Sequence, residues 1–508
     1  MKAPGAAVFA VALTCAAAAH AATIRVPADG DLQAALDRAK AGDVIELEAG
    51  ATFAGHFTLP VKAGDGMTTI RTAGADATAP RGRITPQDAA RFARLRAPDE
   101  DPAIDVAAGA HHWKIALLEI TGGGDGELVS LGSGSHVQTI PSQVPHDLVV
   151  DQVFIHGDPV RGRRRGIGLN SAATTVTRSY ISDIKAVGRD AQAICGWNGP
   201  GPFTITNNFL EASSENLLFG GADPGIRDLV PSDITIAGNT LSKPPSWRQE
   251  HWEVKNLLEL KNARRVSIRN NVLENNWLAA QSGYAVLFTV RNQDGACPWC
   301  EVSDVVFEDN QLSNSGNGVS ITGVDNVHPS KQTHDIVIRG NVFAGFDNQK
   351  YGGNGYAFLI LDGPRDITID HNTIVQEHGG GFIQTEGRPV PGFVFTNNVV
   401  RQNAYGVIGR DKAPGNDSLN FYFPGATFTG NVIVDGDGGR YPRGNTFVPA
   451  DGVCRALASL RQRKDADAGP AREAGEAAEQ RAVQFVGPGA PPLRDRKALN
   501  CGDERQVK

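Results

Sequence analysis

Asp304-Val-Val-Phe-Glu-Asp-Asn310, Asp335-Ile-Val-Ile-Arg-Gly-Asn341 and Asp366-Ile-Thr-Ile-Asp-His-Asn372 share one pattern, and their first residues stand 31 positions apart. Each run alternates apolar and polar residues, so every second side chain enters a core. Each closes on Asn, often beside Gly or a second Asn, residues that tolerate the left-handed backbone of a tight turn. Weaker copies begin at Asp147, Thr174, Phe203, Asp233, Arg265, Phe393 and Thr427. A second apolar run follows many of them, as in Asn216-Leu-Leu-Phe219, Asn256-Leu-Leu-Glu-Leu260 and Tyr356-Ala-Phe-Leu-Ile-Leu361. A repeat of strand, turn and strand without an intervening helix predicts a parallel β-solenoid of about ten coils. Asn207-Asn208, Asn270-Asn271 and Asn397-Asn398 recur at one turn, where their amides can stack into a ladder.

Upstream of the repeat, Asp31 is placed to N-cap Leu32-Gln-Ala-Ala-Leu-Asp-Arg-Ala39. Leu32, Ala35, Leu36 and Ala39 give that helix one apolar face, suited to covering the open end of the first coil. Residues 72–104 break the period and read as a loop excursion with a short helical run from Pro86 to Leu95. The solenoid is expected to span 22–450. The Ala-, Arg- and Glu-rich residues 451–508 read as a C-terminal cap or tail. The first 21 residues have the form of a secretory leader: Lys2, an apolar stretch from Ala6 to Ala12, and Ala19-His20-Ala21 as a cleavage site. They predict a secreted or periplasmic protein, read as a monomer. Lys+Arg 49 against Asp+Glu 56 leaves a net charge of −7, so the basic footprint of a nucleic-acid binder is missing. No later apolar run is long enough for a membrane span. In an oxidising compartment Cys297-Pro-Trp-Cys300 reads as a local disulfide, Cys454 and Cys501 as a pair able to pin the tail, and Cys195 as a core thiol.

With its cap helix, first strand and Asn-rich coils, the chain over residues 23–450 resembles the right-handed parallel β-helix proteins of the pectate-lyase-like class. In such a fold the interior is packed, so chemistry belongs on an outward sheet face. Coils lie about 4.8 Å apart, which makes neighbours of residues one coil apart in sequence. Aligning Leu258-Glu-Leu-Lys-Asn262 with Phe288-Thr-Val-Arg-Asn292 turns Glu259, Lys261, Thr289 and Arg291 outward. It sets Lys261 beside Arg291, where mutual repulsion is expected to lower the lysine pKa. A lysine so tuned can take a proton while the arginine fork holds a carboxylate. The alternative is a pair of solvated strand ends held by Glu259.

The Lys261 and Arg291 pattern, with Ser214-Glu215-Asn216 on the coil before, resembles the alginate-lyase and chondroitinase-B-like lyases. That resemblance implies β-elimination of an acidic, uronate-containing polysaccharide, and calcium held in part by Glu215. Asn256 stands where that family has a calcium-binding Glu. Trp247, His251 and Trp252 lie on one long loop ahead of Lys261, and tryptophans can wall a sugar groove or pack beneath their loop. Asp223 and Asp325, with Asp362 and Glu386, are candidate acids for a glycoside hydrolase, although acids after glycine are also turn formers. A non-catalytic carbohydrate-binding or cell-surface protein is the reading from another class.

Overall fold

The computed structural model describes residues 21–135 and 137–450; residues 1–20 of the expected leader, the 451–508 segment and the expected Cys454–Cys501 pairing lie outside the described residues. The chain winds into a right-handed parallel β-helix. One ladder holds 14 strands, from Thr23–Val26 to Thr427–Thr429, and every strand pairs in parallel with the strand of the next coil. The other 26 strands form two further parallel ladders. The second ladder runs from Thr52–Ala54 to Thr446–Val448, and the third from Phe57–Leu59 to Gly406–Gly409. They touch at one bridge, Arg163 to Ile184. The first ladder is longer than the ten repeats legible in the sequence. Its early strands, such as Val44–Leu47 and His111–Ala116, carry no closing Asn.

Alternation explains the strands. In Arg365–Asp370, Ile367 and Ile369 are buried and Asp366 is exposed. The repeated Asp residues take a role of their own: Asp304, Asp335 and Asp366 have φ of 52°, 54° and 58°. Asp tolerates this left-handed backbone at modest cost, and there it starts each coil. Asn closes the same run. Asn208, Asn239, Asn271, Asn310, Asn341, Asn372, Asn398 and Asn431 are buried, and each donates its amide to the next Asn oxygen at 2.9–3.2 Å, ending on Asn445. Each also donates to a backbone carbonyl of the preceding coil, as Asn310 does to Ile268 at 2.9 Å. The ladder thereby satisfies turn groups that burial would otherwise strand.

The cap helix spans Leu32–Arg38, with the Asp31 carboxylate accepting from Ala34 N–H at 2.9 Å and Leu32, Ala35 and Leu36 buried on the first coil. Residues 73–92 leave the solenoid and lie across its side, where Ala75, Ile84, Ala89 and Phe92 cover Ala116 and Leu117. The helix there is only Pro86–Ala89. The end of the expected helical run, Ala93 to Leu95, lies instead in the strand Ala93–Arg96 of the second ladder, with alternate residues buried. No described helix is long and apolar enough to cross a membrane.

Candidate functional site

The third ladder carries a line of enclosed polar residues on its outer side, one per coil. The register places Glu127 beside Arg165, Arg165 beside Gln192, Gln192 beside Glu215 and Glu215 beside Asn256. Gly168 makes room for this line, since a Cβ there would meet Glu127 Oε2 at 2.0 Å. Gln192 donates to Glu215 Oε2 at 2.9 Å. Glu215 has no exposed surface, and burial, then the charge of Glu259, pushes its carboxyl up to about 7. Cys195 is buried in the same group, and burial pushes its thiol up to about 11, which leaves it an inert thiol.

Lys243 fixes the turn that delivers Glu215. Its ammonium is buried and donates to the carbonyls of Ala212, Ser213 and Ser214 and to Asn216 Oδ1, all at 2.8–2.9 Å. This lysine gave no signal in the sequence, because its cage is made almost wholly of backbone oxygens.

Lys261 and Arg291 do lie on adjoining coils: Arg291 N–H donates to the Lys261 carbonyl at 2.9 Å. The register beneath them differs from the sequence alignment. Glu259 pairs with Leu287 and Leu260 with Phe288, two residues away from the predicted match with Thr289. Beyond Phe288 the offset narrows to one residue, and the backbone bond from Arg291 to Lys261 keeps the two cations on adjoining coils. Each cation has its own acid. Lys261 Nζ is 3.6 Å from Glu259 Oε1, and Arg291 Nη1 is 3.5 Å from Asp325 Oδ1 and 3.0 Å from Asn326 Oδ1. Burial works to lower the Lys261 pKa, but Glu259, Glu215 and Asp190 outweigh it and raise it. The expected depression is therefore reversed, because three nearby carboxylates act on this lysine.

Asp325 and Asp223 grip the segment that carries Arg291. Asp325 accepts from Asn292 and Val327 N–H, each at 2.8 Å. Burial works to raise its pKa, but these bonds and Arg291 hold it below the usual carboxylate range. Asp223 Oδ2 accepts from Asp294 and Ala296 N–H at 3.1 and 2.7 Å. The Cys297–Cys300 disulfide closes the same segment. Both acids thus help to position the segment that carries Arg291.

The predicted tryptophan wall divides. Trp247 is buried with Val254, Trp277 and Tyr351, so it packs beneath its loop. Trp252 is half-buried and borders two clefts. One, of about 270 Å³, is also lined by Arg161, Arg164, Lys185, Arg189 and Asp125. The other, of about 370 Å³, is lined by Arg248, Trp277 and Tyr351 among others. His251 is exposed and makes no hydrogen bond or ion pair among the described residues. The first cleft connects to the line of enclosed residues: Arg164 Nε donates to the Asp190 carbonyl at 3.3 Å, and Asp190 Oδ1 holds Lys255 Nζ at 2.5 Å.

Calcium takes about six to eight oxygens. Here Glu215 Oε1 and Asn256 Oδ1 are enclosed without a hydrogen-bond partner. Glu259 already receives Thr289 and Asn256 at 3.3 and 3.0 Å. Lys255 Nζ stands 3.9 Å from Glu215 Oε1. With few free oxygens, and two lysines already supplying positive charge, the donor set does not fit a calcium shell.

Compared with known families and curated proteins, the sequence matches no family model and no curated protein. Solved structures do resemble it. The alginate lyase AlyGC of the PL6 family aligns at a TM-score of 0.50 and 13% identity, over 84% of this chain and 53% of that one. This chain thus spans about half of that protein's length. A mannuronic acid specific polysaccharide family 6 lyase from human gut microbiota aligns at 0.49 and 12%, over 91% of this chain and 100% of that one. The tailspike protein of E. coli bacteriophage HK620, solved with a pentasaccharide, aligns at 0.49 and 13%, over 82% and 64%. At such identities the shared property is architecture, and the chain belongs with the right-handed parallel β-helices.

Proposed function

We propose that this protein binds an acidic, uronate-containing polysaccharide along the outer side of its third ladder and cleaves it by β-elimination at Lys261 and Arg291. The observation that carries the proposal is the backbone bond from Arg291 to Lys261, which joins two cations on successive coils. The Arg161, Arg164, Lys185 and Arg189 cleft, with the Trp252 ring at its edge, offers further positive charge for an anionic chain. The PL6 lyases with the same fold are named for acting on alginate or mannuronic acid, which adds to the reading.

Elimination requires that the uronate carboxylate be neutralised, that the adjacent carbon lose its proton, and that the leaving oxygen gain one. Arg291, steadied by Asp325 and Asn326, suits the carboxylate. Lys261 in its neutral form takes the proton from carbon and, as the ammonium so formed, gives it to the leaving oxygen; its raised pKa keeps the resting lysine an ammonium at neutral pH. Its basic form appears only as the solution turns alkaline, so cleavage is expected to be faster there. No step requires calcium. Export to the periplasm or the medium, and action as a monomer, belong to the same proposal.

A second reading, non-catalytic binding of the same glycan class, is favoured by the Lys261–Glu259 contact, which keeps the lysine charged. One experiment separates the two. The purified protein is incubated with alginate, polygalacturonate and chondroitin sulfate at neutral and alkaline pH, and the ultraviolet absorbance of an unsaturated product is followed. Binding without product at any pH establishes the second reading; neither binding nor product removes both.

A further inference from the structure

On the first ladder, toward the N-terminal end of the solenoid, His111 and His112 turn the same way. Consecutive residues of a strand ordinarily point to opposite faces. His112 breaks the alternation with φ of 56°, and its Nδ1 comes within 2.8 Å of His111 Nδ1. A third imidazole, His146 on the next coil, stacks on His111 with ring centroids 4.9 Å apart, and its Nδ1 contacts Asp147 at 2.7 Å. The His111 ring is thereby held in place from behind.

Asp65 completes the group. Its carboxylate and the two ring nitrogens all lie within 4.8 Å of one another. The loop that presents Asp65 is pinned on both sides. Lys62 Nζ, buried, donates to the Leu36 and Asp37 carbonyls at 2.6 and 2.9 Å. The Gly66 carbonyl accepts from Gly42 N–H at 3.0 Å, and a Cβ at Gly66 would meet Gly42 N at 2.8 Å. The carboxylate thus reaches the histidines from a pre-set loop.

We propose that Asp65, His111 and His112 bind one divalent transition-metal ion of the zinc class and so tie the loop beside the cap helix to the first ladder. Two imidazoles and a carboxylate are the donors such ions prefer, whereas calcium and magnesium prefer oxygen alone. Metal bonds of about 2.0–2.2 Å place ligand atoms roughly 3.3 Å apart, within the 4.8 Å limit that holds for this group. Asp65 is exposed and the histidines are half-buried, which leaves an ion a route in and room for water as fourth ligand. Two other acid–histidine groups are weaker. His56, Asp99 and Asp101 are all exposed, and Asp347 already accepts from Gln349 and Lys350 N–H.

The test uses untagged protein, freed of metal by a chelator and then dialysed. Zinc chloride is titrated by calorimetry and thermal unfolding is followed in parallel, in the wild type and in a His56→Asn/His378→Asn background that disables the other two groups. Both proteins are expected to bind one equivalent and to melt higher with added zinc, and calcium chloride is expected to have no such effect. Asp65→Asn and His112→Asn are each expected to weaken zinc binding at least about tenfold. Asn at 112 retains tolerance of the left-handed backbone, so both variants should melt near the wild type without metal. Absence of zinc binding in the background protein, or undiminished binding in either variant, overturns the site.

Discussion

Arg291 N–H donates to the Lys261 carbonyl at 2.9 Å, and from that shared point the two side chains part, Lys261 to Glu259 and Arg291 to Asp325. The pair is joined through the backbone and insulated through its acids. Glu259 therefore decides whether Lys261 can serve as a base.

The first prediction follows from that control. Glu259→Gln removes the charge that does most to raise the Lys261 pKa. The limb of the pH–rate profile that reports deprotonation of Lys261 should move to lower pH, while Lys261→Ala abolishes cleavage and leaves glycan binding largely intact. Arg291→Lys keeps the charge but loses the planar fork, so binding and rate should both fall. A limb that stays in place in Glu259→Gln would remove Lys261 from the proton transfer.

A calcium chelator should leave glycan binding and cleavage unchanged, because Lys255 and Lys261 provide the positive charge beside Glu215 and Glu259. Loss of activity on chelation, restored by calcium, would contradict the assignment of that role to the lysines.

Glu215 links this line of residues to stability. Its pKa in the folded state, about 7, lies above its ordinary 4.5. Between those values the folded protein binds more protons than the unfolded chain, so this group's contribution falls as pH rises through 7. Glu215→Gln should therefore gain on the wild type more at pH ~8 than at pH ~5. Urea unfolding at the two pH values tests it, and an equal difference at both would show that Glu215 is not the group responsible.

Trp247 and Trp252 should respond differently to alanine. Trp247 is 4% exposed, and its loss should cost about 3–5 kcal/mol. Trp252 borders the cationic cleft, so its replacement should weaken oligosaccharide binding with a smaller effect on the melting temperature. Calorimetry with an acidic oligosaccharide, alongside thermal melts, would expose the reverse pattern.

Lys243→Met should be among the most damaging single changes. It removes the lysine from the Ala212 and Ser213 carbonyls and Asn216 Oδ1, at about 1–3 kcal/mol for each group left unsatisfied, while the Ser214 carbonyl keeps the Asn256 N–H at 3.0 Å. Denaturant unfolding, or recovery of soluble protein, measures the loss. A variant as stable as the wild type would mean that the turn before Glu215 has other support.

The sequence by itself determined the solenoid. Alternation in runs such as Asp366–Asn372, the recurring Asn and the capped helix after Asp31 are local signals, and each reports on a strand, turn or helix within a few residues of itself. It also brought Lys261, Glu259, Arg291 and Glu215 into one neighbourhood, because coil periodicity converts sequence spacing into lateral distance. The tertiary structure alone decided what those residues experience. The two-residue offset that sets Glu259 opposite Leu287, the closure of solvent over Glu215, and the turning of Trp247 inward depend on how neighbouring coils and loops stack. The sign of the Lys261 shift depends on three carboxylates from three different segments, and no local pattern encodes such a sum. Lys243 and the convergence of His111 with His112 were hidden for the same reason: one is caged by backbone oxygens, and the other rests on a single left-handed φ that side-chain identity does not announce.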